Sequence, residues 1–81
     1  MLDWRINFGQ NLWYLRKTHG LTLRQMAEIV GVSLSTYRKM ERCDRKVRIH
    51  AGRLCRICNH FNIASDEILY RNWCKMQENK L

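Results

Sequence analysis

The stretch Thr22-Leu23-Arg24-Gln25-Met26-Ala27-Glu28-Ile29-Val30-Gly31-Val32-Ser33-Leu34-Ser35-Thr36-Tyr37-Arg38-Lys39-Met40-Glu41 decides the fold. It reads as two short helices joined by a tight turn. Thr22 and Gln25 have capping-box spacing, in which the threonine caps the helix start and the glutamine reaches back. Leu23, Met26, Ala27 and Val30 then fall on one helical face. Gly31 is the stop, because glycine enters the left-handed region without steric cost. Ser33 is the N-cap of the next helix, which turns Tyr37 and Met40 inward at i, i+3 spacing. A turn of about three residues makes the two helices cross steeply, the geometry of a helix-turn-helix unit. Ala27 keeps the crossing point small, so the second helix can approach.

Helical spacing continues on both sides. Trp4, Phe8, Leu12 and Leu15 recur at i, i+4, i+8 and i+11, with Asp3 as a candidate N-cap and Gly20 as the stop. A fourth helix is expected over about residues 52–60, with Leu54, Ile57, Cys58 and Phe61 as its core side. A fifth starts near Ser65-Asp66-Glu67, where acids suit a helix N-terminus, carries Ile68 and Leu69, and by spacing runs on through Trp73 and Met76. The glycines at 9, 20, 31 and 52 read as punctuation. There is no proline, and alternating strand patterns are hard to find. The expected fold is all-α: five helices, with the helix-turn-helix at helices 2 and 3.

Eighty-one residues make one domain, and an apolar fraction of 46% is enough to build a core, which excludes a disordered chain. No apolar run approaches the roughly 20 residues of a membrane span. Met1–Arg5 shows no secretion signal, so a cytoplasmic protein is expected. The chain carries a net +8 at pH 7, and residues 38–56 hold a net +6 of it: Arg38, Lys39, Arg42, Arg45, Lys46, Arg48, Arg53 and Arg56 against Glu41 and Asp44. An arginine-rich run suits phosphate or guanine. The alternative is a solvated basic face with no partner.

Cys55-x-x-Cys58, with His50 and His60 nearby, has the look of a zinc site. Both cysteines lie within one expected helix, however, and a structural zinc site draws ligands from separate elements. Core packing of the thiols is the better reading, and no metal or cofactor is expected. No Ser/His/Asp or paired-carboxylate constellation stands out among seven acids, so an enzyme is not expected.

The chain resembles the lambda-repressor-like, Cro-type helix-turn-helix proteins, the XRE family. The similarity runs over about residues 6–70. It is carried by Phe8-Gly9-Gln10-Asn11-Leu12, Leu15-Arg16, Gly20-Leu21-Thr22, Met26 to Ser33, Ser35-Thr36-Tyr37, Met40-Glu41-Arg42, Ile57 to Ile63 and Asp66 to Leu69. Four places depart from the family pattern. Leu23 stands where a glutamine usually opens helix 2, and Cys43 where a glycine follows Glu-Arg. The segment Asp44–Gly52 is about two residues longer than usual and lacks its proline. Ala64 replaces the serine that caps helix 5, leaving Ser65 to take over.

The resemblance implies a compact five-helix DNA-binding domain over residues 1–70, with 71–81 as a helical extension or tail. It makes helix 3 the recognition helix in the DNA major groove. A helical wheel agrees, since Ser35, Arg38, Lys39 and Arg42 point away from the Tyr37–Met40 face. Leu34, Ser35, Thr36, Arg38 and Lys39 are the candidate base readers. Arg38 suits bidentate contact with guanine, and Leu34 or Thr36 suits a thymine methyl. Thr22, Arg24, Ser33, Arg42, Arg45, Lys46 and Arg48 are the candidate phosphate contacts. The resemblance also implies an ion pair between Arg16 and Glu41 that sets the tilt of helix 3.

A single small unit reads few base pairs, so a homodimer on two-fold double-stranded DNA is expected. Leu69, Trp73 and Met76 are its candidate contacts, unless that stripe folds back on Trp4 and helix 1. No small-molecule ligand or membrane partner is indicated. Trp13 lies opposite the core side of helix 1, where it either contacts another protein or packs under the tail. Two functions stay open. One is a transcriptional regulator, a repressor of a phage, plasmid or similar bacterial element. The other is an interaction module such as an antitoxin, using Trp13, Ile29 and the C-terminal stripe.

Overall fold

The computed structural model describes residues 4–44 and 46–73. Asp3, Arg45 and Met76 lie outside them. Among the described residues five helices follow one another: α1 (Trp4–Thr18), α2 (Leu23–Val30), α3 (Leu34–Glu41), α4 (Ala51–Phe61) and α5 (Ser65–Tyr70). Among the described residues there is no strand. α1 packs against α3 and α5, α2 against α3 and α4, and α4 against α5. The core where they meet contains Phe8, Leu12, Leu15, Met26, Ala27, Val30, Tyr37, Met40, Ile57 and Ile68.

Four of the five helices end by the same device. An N–H two or three residues past each helix folds back to a carbonyl five residues earlier. These bonds run from Leu21 to Arg16 (2.9 Å), Val32 to Ala27 (3.0 Å), Asp44 to Lys39 (3.1 Å) and Ile63 to Cys58 (3.0 Å). The closure needs a left-handed residue just before that N–H. Gly20 (φ 63°) and Gly31 (φ 84°) supply it without strain, while Cys43 (φ 61°) and Asn62 (φ 55°) supply it with a side chain present. Cys43 therefore holds the backbone shape for which the family uses glycine, at a cost of order 1 kcal/mol.

At the other ends, Thr22 and Gln25 form the full capping box on α2: Gln25 N–H donates to Thr22 Oγ1 at 3.1 Å, and Thr22 N–H donates to Gln25 Oε1 at 2.8 Å. Ser33 caps α3 by accepting from Thr36 N–H. α4 starts at Ala51 behind His50, which makes no side-chain cap. Between α3 and α4, Lys46 N–H donates to Asp44 Oδ1 at 2.9 Å, and Val47 and Ile49 pack on the core. Arg5 Nε donates to the Val47 carbonyl at 3.4 Å, tying this segment to α1.

Several sequence expectations change. Gly9 does not punctuate; it is buried within α1. A Cβ there would lie 2.4 Å from the Met40 carbonyl oxygen and 2.7 Å from Cys43 Sγ, so the absent side chain is what lets α1 and the end of α3 touch. Gly52 likewise sits inside α4. Ser65 does not cap α5, because the cap position is Ala64 and Ser65 is the first helical residue. Cys58 packs against the core as expected, but Cys55 is exposed.

α5 does not run on through Trp73. It stops at Tyr70, and Arg71 is extended (φ −90°, ψ 152°). The cause is Asn11, fully buried in α1. Its Nδ2 donates to the carbonyls of Ile68 (2.8 Å) and Arg71 (2.7 Å), and its Oδ1 accepts from the Trp73 N–H (3.0 Å). One amide from a distant helix thus takes over groups that a continuing helix would have paired internally. Asn72 donates to Asn7 Oδ1 and Gln10 Oε1 on the same side of α1. Residues 72 and 73 are therefore tied to α1. Trp73 packs with its ring centroid 6.0 Å from that of Tyr14. Of the Leu69–Trp73–Met76 stripe, Trp73 thus folds back on helix 1 against Tyr14, and Met76 lies outside the described residues.

Candidate nucleic-acid interface

The outer face of α3 follows from what its inner face buries. Tyr37 is fully buried and Met40 nearly so, which fixes the rotation of the helix. Ser35, Arg38, Lys39 and Arg42 are then exposed on the opposite side, with Leu34 and Thr36 half-buried at its edge. The first turn of α3 presents N–H groups at the positive end of the helix dipole. Ser33 and Thr36 hydroxyls touch at 3.0 Å. One proton fills that contact, which leaves one hydroxyl donor for an outside acceptor. At the start of α2, Thr22 Oγ1 accepts from Gln25 N–H, so its own O–H remains a donor. Thr22, Arg24, Lys46 and Arg48 are exposed.

Glu41 sits at the last turn of α3 and does not face outward as a free carboxylate. Arg16 of α1 grips it with two bonds, Nε to Oε2 at 2.7 Å and Nη2 to Oε1 at 3.1 Å. Both side chains are largely shielded, at 13% and 10% exposure. The Arg16 pKa is raised, chiefly by its hydrogen bond to Glu41. The two-pronged geometry sets position as well as charge. The Tyr37 hydroxyl is buried beside this pair, and burial followed by the neighbouring Glu41 pushes its pKa above the ordinary tyrosine value. The pair thus joins α1 to the end of α3 directly above the residue that sets the rotation of α3.

Two arginines of the basic stretch serve another purpose. Arg53 Nη1 donates to the Gly31 carbonyl. Arg56 donates through Nε to the Ile29 carbonyl (3.1 Å) and through Nη2 to the Glu28 carbonyl (3.2 Å). These carbonyls lie at the C-terminal end of α2, where a helix has unpaired acceptors and a partial negative charge. Both guanidiniums also close over Gly31, within 3.1 Å of where its Cβ would be. Charge in the sequence pointed Arg53 and Arg56 at an anionic partner; the partner they hold is the end of α2. They clamp α4 to the turn that launches α3.

Trp13 is 45% exposed, and the tail under which it was expected to pack lies, beyond Trp73, outside the described residues. It lines an open groove with Arg16, Leu23, Arg38, Glu41 and Arg42. Ile29, the other residue of the interaction-module reading, is half-buried against the core.

The arrangement is a pair of short helices around a fixed turn, the second showing a polar, basic face. A family model described as helix-turn-helix matches residues 14–68, which span α2, the turn, α3, α4 and most of α5. The chain belongs to the lambda-repressor-like helix-turn-helix family. This helix-turn-helix protein is accordingly a DNA-binding transcription regulator. No curated protein and no solved structure matches it. Among the described residues no helix is long and apolar enough to cross a membrane.

Sequence reasoning missed Asn11, Gly9 as a contact glycine, and the Arg53–Arg56 clamp. A signal existed for two of them. Asn7 and Asn11 lie beside the apolar stripe of α1, one turn apart, where unpaired amides would be costly. Arg53 and Arg56 share a helix face at i, i+3.

Proposed function

We propose that this helix-turn-helix protein is a sequence-specific regulator of double-stranded DNA, a repressor that lays α3 in the major groove. The observation carrying the reading is the division of α3: Tyr37 and Met40 are buried, and Ser35, Arg38, Lys39 and Arg42 are exposed. Ser35 and Arg38 meet base edges, with Leu34, Thr36 and Lys39 flanking them. Thr22, Arg24, Ser33, Arg42, Arg45, Lys46 and Arg48 meet phosphates and set the register without reading sequence. Two copies on a two-fold site, about one helical turn apart, supply the specificity one unit lacks. Leu69 and Met76 remain candidate contacts between copies; Trp73 is already engaged by Tyr14.

The test is selection of bound sites from random duplex DNA, followed by titration of variants against the selected site. Arg38→Ala is expected to relax one base position, with about 1–3 kcal/mol of discrimination lost there. Lys46→Ala should weaken all sequences equally and lower the salt slope by about one. An unchanged motif in the Arg38→Ala selection would contradict the base-reading role.

A further inference from the structure

The groove between α1 and α3 has a composition the recognition helix alone does not explain. Its apolar members are Trp13, from α1, and Leu23, from the start of α2. Arg38 and Arg42 of α3 line it as well. Its one carboxylate, Glu41, is held at 2.7 and 3.1 Å by Arg16 and is largely shielded. The groove therefore combines an exposed indole, an aliphatic side chain and two exposed guanidiniums, with its negative charge already neutralised.

We infer that this groove seats the sugar-phosphate backbone of the bound strand, with Trp13 against the deoxyribose and Arg42 on the adjoining phosphate. Two observations choose this occupant. Arg38 and Arg42 belong both to the groove and to the exposed face of α3, so the groove is continuous with the surface assigned to DNA. Its free charge is positive, which matches a phosphodiester. A deoxyribose offers C–H groups to an indole face, and the indole N–H is a donor only, suited to a phosphate oxygen. Leu23 cannot hydrogen-bond, so Trp13 takes over positioning on this side of the strand.

The inference rests on the DNA-binding reading, and the experiment separates the two. Wild type, Trp13→Ala and Trp13→Lys are titrated with the selected duplex and with random duplex over a range of salt. Far-ultraviolet circular dichroism and thermal melting check that each variant folds. Trp13→Ala should weaken both duplexes by the same factor, about 5–30-fold, with the slope of log affinity against log salt unchanged, because an apolar contact releases no counterion. Trp13→Lys should steepen that slope by about one, because it places a cation beside a phosphate. Trp13→Ala binding within two-fold of wild type, or Trp13→Lys leaving the slope unchanged, overturns the inference while DNA binding by α3 stands. Failure of the wild type to bind duplex even at low salt overturns both.

Discussion

Replacing Asn11 tests whether the C-terminal part of the domain is held by one buried amide. The side chain makes three hydrogen bonds, to Ile68 and Arg71 carbonyls and from the Trp73 N–H, at 2.8, 2.7 and 3.0 Å. At about 1 kcal/mol net for each bond, Asn11→Ala should cost about 3 kcal/mol. A domain of this size has about 4–12 kcal/mol in total, so the loss is a large fraction of it. At about 4–8 °C per kcal/mol, the melting temperature should fall by about 12–24 °C. Urea unfolding followed by circular dichroism measures the free energy, and a melt measures the shift. Asn11→Asp sharpens the test. It keeps an acceptor for the Trp73 N–H but turns a carboxylate toward two carbonyls, so burial and those carbonyls raise its folded pKa above the unfolded value of about 3.9. The protonated acid can donate to a carbonyl; the ionised one cannot. Stability is then fully present below the unfolded pKa and is lost as pH rises through the folded one. The gap between Asn11→Asp and wild type should therefore narrow on acidification. A loss below about 1 kcal/mol for Asn11→Ala, set against the expected net value per bond, or a gap that does not change with pH, would refute the reasoning.

Other outcomes follow from the packing. Gly9→Ala, whose Cβ would lie 2.4 Å from the Met40 carbonyl oxygen, should destabilise by about 1–3 kcal/mol in chemical unfolding, although alanine is the better helix former. Tyr37→Phe should be nearly neutral at pH 7, since the hydroxyl makes no hydrogen bond of normal geometry. The raised Tyr37 pKa means that wild-type stability falls as pH rises past the unfolded tyrosine value of about 10, and Tyr37→Phe should remove that part of the fall in a pH series of urea melts. The double variant Arg53→Ala, Arg56→Ala should lose about 1–2 kcal/mol through the α2 terminus, yet leave the salt slope of DNA binding unchanged. A slope lowered by two would add both arginines to the phosphate contacts and overturn their reading as a clamp.

Legibility in the sequence followed the range of the interaction. α2, the turn and α3 could be read because Thr22, Gln25, Gly31 and Ser33 each act within a few residues of themselves. The buried faces of α1 and α4 could be read because their spacing is local too. The end of α5 could not, because the amide that ends it comes from Asn11, 57 or more residues away. The basic stretch was misjudged in part for a different reason. A carbonyl at a helix terminus and a phosphate both attract a guanidinium, and counting charge along the chain cannot tell them apart. The Arg16–Glu41 pair was implied by resemblance alone; the structure shows what it braces, the end of α3 beside Tyr37. Trp13 was legible as an outward residue, but its neighbours in the groove come from three separate helices.

The two sides of α1 bear on how the molecule can be built upon. Gly9 and Arg16 face α3, whereas Asn7, Asn11 and Tyr14 face residues 72 and 73. Because the Trp73 amide is pinned to Asn11, Trp73 itself sits on the flank of α1 turned away from the recognition helix. A fluorescent label placed on a side chain of that flank would leave α3 open to DNA. A label on Arg5 would instead disturb its contact with Val47, which braces the loop following α3.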